Sequence, residues 1–384
     1  MTTVAGEVVD AVRERLSRRP GELSPARVAE ALRATGLPVG DATVLAVHDA
    51  LRGDVLGAGI LEPLLRLPGV TDVLVNGADQ VYLDRGAGLE RTEVRFPGDE
   101  AVRRLAQRLA AGGGRRLDDA TPYVDVRLPD GTRLHAVLAP LARPGTIVSL
   151  RVPTRRAFTL DDLVDAGACG AAGARLLADL VAARLAFLVS GGTGSGKTTL
   201  LGTLLGLADP GERLVLVEDS AELAPDHPHV VALEARPPNL EGAGEITVRD
   251  LVRQALRMRP DRLVVGEVRG AEVTDLLAAL NTGHEGGCGT IHANSAGDVP
   301  ARVEALALAA GLPRAAVHSQ FASAVDAVVH LGRDRGGVRR LREVAVPRQQ
   351  PDGLVSMSTA VEFAHDGSVR EGPGADALAT RLSA

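Results

Sequence analysis

A chain of 384 residues with net charge −6 and 45% hydrophobic residues, but no Trp, two Tyr and five Phe, has the length for two or three domains and the apolar content to give them cores. Its acidic balance and few aromatic rings argue against a nucleic-acid track, which wants a basic groove and stacking platforms, so no direct nucleic-acid partner is expected. Cys169 and Cys288 give no disulfide framework, and the apolar runs fall far short of the ~20 residues of a spanning helix. The polar start, Met1–Arg19, does not read as a signal peptide. A cytoplasmic protein is the expectation.

Residues 1–56 read as a helical extension. Val4, Val8, Val9, Val12 and Leu16 recur at helical spacing up to Pro20. Ser24 is placed to cap a second helix through Leu32, and Asp41 a third carrying Val44, Leu45, Val47, His48 and Leu51. The preferred reading is a solvated appendage with no catalytic role. The pattern changes over 57–152. Thr71–Asn76, Gln80–Asp84 and Leu89–Phe96 read as strands, Asp99–Ala111 as a helix ending at a Gly run, and Tyr123–Leu128, Arg133–Leu138 and Thr146–Val152 as further strands. Pro129-Asp130-Gly131 is turn chemistry between two of them. This is a smaller α+β domain, and 153–160 read as a linker. From 161 to 384 strands and helices alternate, which predicts an α/β domain with a mostly parallel sheet covered on both faces. A terminal hairpin, Val338–Val346 and Leu354–Ala360, and a frayed tail close the chain.

One stretch organises the rest. After the apolar run ending at Val189 come Ser190, then Gly191-Gly192-Thr193-Gly194-Ser195-Gly196-Lys197-Thr198-Thr199, the G-x-x-x-x-G-K-[ST] phosphate-binding loop. Glycines let the backbone close on a polyphosphate and turn its N–H groups inward at the positive end of a helix. Lys197 would sit on the β/γ-phosphates and the Thr198 hydroxyl on Mg²⁺. Lys197 is the single lysine among 43 Lys plus Arg, a position that keeps a compact ammonium where the composition elsewhere takes Arg.

Downstream, the strand Arg213–Val217 runs into Glu218-Asp219, and carboxylates at the C-terminal end of a parallel strand face the ligand crevice. An acidic pair capping the next turn is the alternative. A second apolar strand, Arg262-Leu263-Val264-Val265-Gly266-Glu267, is Walker-B-like, with Gly266 where an Asp is usual. Glu267 is the candidate to orient the attacking water, and with Thr198 and Glu218 it makes the candidate metal set. His284 and His292 follow turns at the sheet edge. With only Cys288 and Glu285 nearby they read as polar sensors of the phosphate end rather than zinc ligands.

Five strings then occur in one order: Glu234–Gly242, Leu256–Arg262, Gly266-Glu267-Val268-Arg269-Gly270, Asn281-Thr282-Gly283-His284 and Thr290-Ile291-His292-Ala293-Asn294. Together they resemble the secretion ATPases of type II and type IV systems, and specifically the CpaF/TadA-like branch that powers tight-adherence (Flp) pilus assembly. Thr71–Gly77 and Val124–Arg133 are similar to that branch too. The resemblance implies a RecA-like P-loop ATPase domain, a mobile linker and a homo-hexamer. It implies Mg²⁺-dependent ATP hydrolysis with Glu267 as catalytic carboxylate, Glu218 assisting and His284 to His292 forming a His box. It further implies that arginines of the preceding domain reach the phosphates, for which Arg127, Arg133 and Arg151 are the candidates; a structural ion pair is the alternative for each. The partners implied are inner-membrane platform proteins, with the chain peripheral at the inner face of the membrane. Two other classes stay open on the residues: an ATP-binding switch or scaffold, and a DNA-translocating ATPase.

Overall fold

The computed structural model describes residues 57–384 apart from 87, 154–156, 240–241, 335–336, 365–367 and 384, together with 11–12, 15–16, 24–35, 40, 43–44 and 47. The chain divides into two compact units, Met1–Thr154 and Arg155–Ala384. In the first, helix α1 (Pro25–Arg33) starts at Ser24, whose hydroxyl accepts from the Arg27 N–H at 3.4 Å. Its apolar stripe, Val28, Ala31 and Leu32, packs with Val12, Val44 and Val47. The helices expected over Val4–Leu16 and after Asp41 lie largely outside the described residues.

The rest of this unit is a six-stranded antiparallel sheet: β1 (Asp72–Asn76), β2 (Val81–Asp84), β3 (Leu89–Arg91), β4 (Tyr123–Arg127), β5 (Arg133–Val137) and β6 (Ile147–Arg151), ordered β3-β2-β1-β6-β5-β4. A short helix α2 (Glu62–Leu65) precedes it, and α3 (Asp99–Gly112) packs Val102, Leu105 and Leu109 on the alternate, inward residues Val73, Val75, Leu134, Ala136, Val148 and Leu150. Asp99 opens α3 at its positive end and accepts from the Thr146 N–H and hydroxyl at 2.6 and 3.1 Å, pinning the helix to the entry of β6. Strand β3 stops at Arg91 rather than running to Phe96. The Thr92 hydroxyl donates to the Val81 carbonyl and accepts from the Val94 N–H, which turns the backbone out of the ladder.

The second unit opens with α4 (Leu160–Asp165). Thr159 caps it reciprocally with Asp162, so the expected linker over 153–160 gives way to helix at Leu160. Next come α5 (Ala171–Ala182), β7 (Phe187–Gly191), α6 (Lys197–Leu205), β8 (Leu214–Glu218), β9 (Val230–Glu234), α7 (Val248–Ala255), β10 (Arg262–Val268), α8 (Glu272–Leu280), β11 (Cys288–Ile291), α9 (Val299–Ala309), α10 (Arg314–Ala324), β12 (Ala327–Arg333), β13 (Arg339–Gln349), β14 (Val355–Phe363), β15 (Val369–Glu371) and α11 (Ala375–Leu382). They form one nine-stranded sheet, β15-β14-β13-β12-β7-β11-β10-β8-β9, parallel from β12 to β9 and antiparallel beyond β12.

Strands β7 and β8 are buried along their whole length, as a sheet covered on both faces requires. Phe187, Val189, Leu214 and Leu216 face α5 and α6, while Leu188, Val215 and Val217 face the layer of α7 to α10. The tail is not frayed. Strand β15 pairs with β14, and α11 seats Leu378, 2% exposed, in the core on the α5/α6 side. Burying one such leucine is worth about 2–3 kcal/mol. Among the described residues no helix is long and apolar enough to cross a membrane.

Candidate active site

Parallel strands β12, β7, β11, β10 and β8 bring their C-terminal ends to one edge of the sheet, the place where such sheets bind ligands. Strand β7 ends on Gly191 with φ 152°, and a Cβ there would lie 2.5 Å from the Leu331 carbonyl oxygen. Gly192, Thr193 and Gly194 turn outward and Ser195 tucks beneath them. Gly196, with φ 96°, starts α6 without a side-chain cap. The first N–H groups of a nine-residue helix are therefore presented at a turn whose glycines keep the approach clear, a ready anion site. Thr198 and Thr199 follow in its first turn.

Lys197 is 7% exposed. Its Nζ donates to the carbonyls of Gly191 and Gly192 at 3.1 and 3.0 Å and stands 3.3 Å from Nδ1 of His292, just beyond β11. Burial pulls the ammonium below its ordinary range. His292 is likewise lowered, by burial and then by the Lys197 charge, so its ring is neutral at neutral pH. Nε2 of His292 lies 2.8 Å from Oε1 of Glu267, although the approach makes no hydrogen bond. On the other carboxylate oxygen, Oε2, Glu267 accepts from Arg269 at 2.6 Å, and Arg269 reaches Asp219 at 3.3 Å with its other arm. Burial raises the Glu267 carboxyl, but Arg269, then His292 and Lys197, outweigh it and leave the group below its usual value.

Glu218 ends β8, three strands from β7 and beside β10. It is 3% exposed, and burial pushes it up to about 7 against the N–H groups of Glu222 and Leu223, which donate to Oε1 at 3.0 and 2.9 Å. Oε2 of Glu218 and Oε1 of Glu267 are buried and accept no hydrogen bond. Two buried carboxylate oxygens without a hydrogen-bond donor, on the adjacent strands β8 and β10, are the donors a hard divalent cation, or its hydration water, takes up. The residues present thus fit a Mg²⁺ ion held by Thr198, Glu218 and Glu267.

The remaining expected residues have other neighbourhoods. Nδ1 of His284 meets the Ala279 carbonyl at 3.1 Å at the end of α8. Arg127, Arg133 and Arg151 lie in the first unit, directly opposite one another across β4, β5 and β6. The same row continues into Asp72. Arg133 pairs with Asp125 at 2.6 Å and Arg151 with Asp72 at 3.2 Å. Arg269 was missed as a functional candidate, although it stands two residues after Glu267 in a string already singled out. Cys288, between β10 and β7, has its thiol pushed up to about 12 by burial and is an inert core residue.

The description "Type II/IV secretion system protein" matches residues 54–356. A Mycobacterium tuberculosis (strain ATCC 25618 / H37Rv) protein, named provisionally for conjugal transfer, is 61% identical over 317 residues, 81% of this chain and 90% of that one. Conjugal transfer protein TrbB of Rhizobium radiobacter is 32% identical over 280 residues, 72% of this chain and 83% of its own. The solved pilus retraction motor PilT with bound ADP superposes at a TM-score of 0.53 with 21% identity, covering 77% of this chain and 83% of that one, a likeness of fold. With a phosphate loop, a buried lysine and a strand-end carboxylate on a RecA-like sheet, the chain belongs to the type II/IV secretion system protein family and is an ATPase.

Proposed function

We propose that this chain is the Mg²⁺-dependent motor of a secretion or pilus machine, working as a homo-hexamer peripheral to the inner membrane. The observation that carries the reading is the run Lys197–His292–Glu267, which ties the phosphate loop to a carboxylate on the second strand over. In ATP hydrolysis a water attacks the γ-phosphorus, the bond to the β–γ bridging oxygen breaks, and ADP leaves with the electron pair. On ATP binding Lys197 moves off the loop carbonyls onto the β/γ-phosphates. Glu267 accepts a hydrogen bond from the attacking water and aims it. Neutral His292, between Lys197 and Glu267, is placed to report phosphate occupancy from one to the other, with His284 steadying the turn before β11. Thr198, Glu218 and Glu267 would hold Mg²⁺, which would neutralise phosphate charge. Arg127, Arg133 and Arg151 are proposed as further phosphate-binding residues, Arg133 and Arg151 giving up Asp125 and Asp72 to do so.

Within the family, the five motif strings support the tight-adherence branch and its inner-membrane platform as partner. The two sequence relatives carry conjugal-transfer names, which supports a conjugal-transfer machine instead. The test is Mg²⁺-ATP hydrolysis against protein concentration with oligomer mass read in parallel, for wild type, Lys197→Ala and Glu267→Gln. Activity rising with hexamer formation, lost in both variants while Glu267→Gln still binds ATP, is the expected result. Turnover in Glu267→Gln removes that residue from the mechanism. Binding without turnover at any assembly state makes the chain a switch, and stimulation by DNA revives the translocating motor.

A further inference from the structure

The catalytic groups all stand on one side of the phosphate loop. In the order β12-β7-β11-β10-β8, His292 lies just beyond β11, and Glu267 and Glu218 lie at the C-terminal ends of β10 and β8. The other flank is β12, parallel to β7 with Leu331 opposite Gly191, so Arg333 projects two residues further on, past the loop. The flat end of Arg333 lies over the loop: a Cβ on Gly194 would be 3.7 Å from both Cζ and Nη2 and 4.0 Å from Nη1. Arg339 is directly opposite Arg333 across the β12–β13 ribbon, and its Cδ would be 3.4 Å from a Cβ on Gly196. Two arginines from one ribbon thus run along the outside of the loop.

The ribbon is built so that Arg333 is left over. Asp334, the nearest carboxylate in sequence, is spent on the turn: it accepts from the Val338 N–H at 2.9 Å and from Nε of Arg340 at 3.2 Å. Among the described residues the Arg333 guanidinium makes no ion pair or hydrogen bond. An exposed planar cation held against a phosphate loop, on the flank away from the γ-phosphate chemistry, has one natural ligand. Building on the nucleotide site proposed above, we infer that Arg333, backed by Arg339, binds the nucleoside end of ATP and ADP. Its plane stacks on the base, and its N–H groups reach the ribose and α-phosphate. The residues act in cis, from the same unit that carries the loop.

Calorimetric binding of two probes, ADP and inorganic tripolyphosphate, separates this from the general nucleotide reading. Wild type should bind both. Arg333→Ala should weaken ADP about tenfold and leave tripolyphosphate within about twofold. Arg333→Lys, which keeps the charge and loses the plane, should recover little of the ADP affinity. Because the side chain is exposed, both variants should unfold with the wild-type midpoint. ADP binding at wild-type strength in Arg333→Ala overturns the inference while leaving the loop intact. Equal weakening of both probes overturns it too, in favour of bulk phosphate attraction. Failure of the wild type to bind either probe sinks the nucleotide site itself.

Discussion

Gly266 leaves the space that Glu218 fills: a Cβ on residue 266 would come within 2.6 Å of Cγ and 3.0 Å of Oε1 of Glu218. Strands β8 and β10 are neighbours in register, Val217 opposite Val265, so the residue after each meets across the ladder. The glycine in place of the usual Walker-B Asp is therefore a vacancy made for a carboxylate arriving from the next strand. Gly266→Ala should displace Glu218 from the Glu222 and Leu223 N–H groups and cost about 100-fold or more in Mg²⁺-dependent kcat, on the scale of losing one preorganised electrostatic group. ATP binding without metal should change little. Wild-type turnover in Gly266→Ala would show that the close approach is incidental to catalysis.

The same carboxylate makes stability depend on pH. Glu218 is raised from 4.5 to about 7 by burial, so the folded state holds the proton more tightly than the unfolded chain. The resulting stabilisation is fully present below pH 4.5 and fades as pH rises through about 7, a loss of order 3 kcal/mol from a shift of this size. In metal-free, nucleotide-free protein, denaturation midpoints should fall across that window, and Glu218→Gln should flatten the fall. An unchanged pH dependence in Glu218→Gln would place the titration elsewhere.

Arg269 carries a separate expectation. It is half exposed, yet it is the group that keeps Glu267 ionised against the pull of burial. Without it the Glu267 carboxyl rises, and the acid limb of the pH–rate profile should move to higher pH. Arg269→Ala should also lower kcat by about tenfold through lost aim of Oε2, and Arg269→Lys should restore part of both. An Arg269→Ala profile superimposable on wild type, merely scaled, would reduce Arg269 to a surface ion pair.

What was legible in the sequence followed local rules. The phosphate loop, the buried strand Cys288–Ile291 and two apolar strands carrying Glu218 and Glu267 at their C-terminal ends are short-range patterns, and so is the Ser24 cap. What was not legible depends on register between distant strands. The fit of Gly266 to Glu218 needs β8 beside β10. The placing of Arg333 over Gly194 needs β12 beside β7, across more than a hundred residues of chain. Strand β9 is a half-buried edge strand whose short apolar run, Val230–Leu233, follows a stretch rich in Pro, Asp and His that reads as loop, and α11 was missed because it buries only one leucine, Leu378, fully. The row Arg127–Arg133–Arg151 also needed the pairing of three strands, although each arginine had been picked out singly.

Arg262 shows the cost of a charge the sequence hides in an apolar strand. At 3% exposure it donates from Nε to Oε2 of Glu212 at 2.5 Å and from Nη2 to the Val181 carbonyl at 2.9 Å. Arg184, at φ 54°, meets the other oxygen of Glu212. Gly286 leaves room for the guanidinium, since a Cβ there would be 2.8 Å from Nη1. Glu212→Ala removes the only carboxylate that Arg262 contacts among the described residues and strands a buried cation, for which about 3–5 kcal/mol is the ordinary penalty. Replacing both ends, Glu212→Leu with Arg262→Met, swaps the pair for apolar volume and should recover most of that loss. Denaturant midpoints for the wild type, the single and the double variant decide it. A single variant within about 1 kcal/mol of wild type would mean that water or Arg184 compensates the charge, and a double variant no better than the single would mean that packing, not electrostatics, sets the cost.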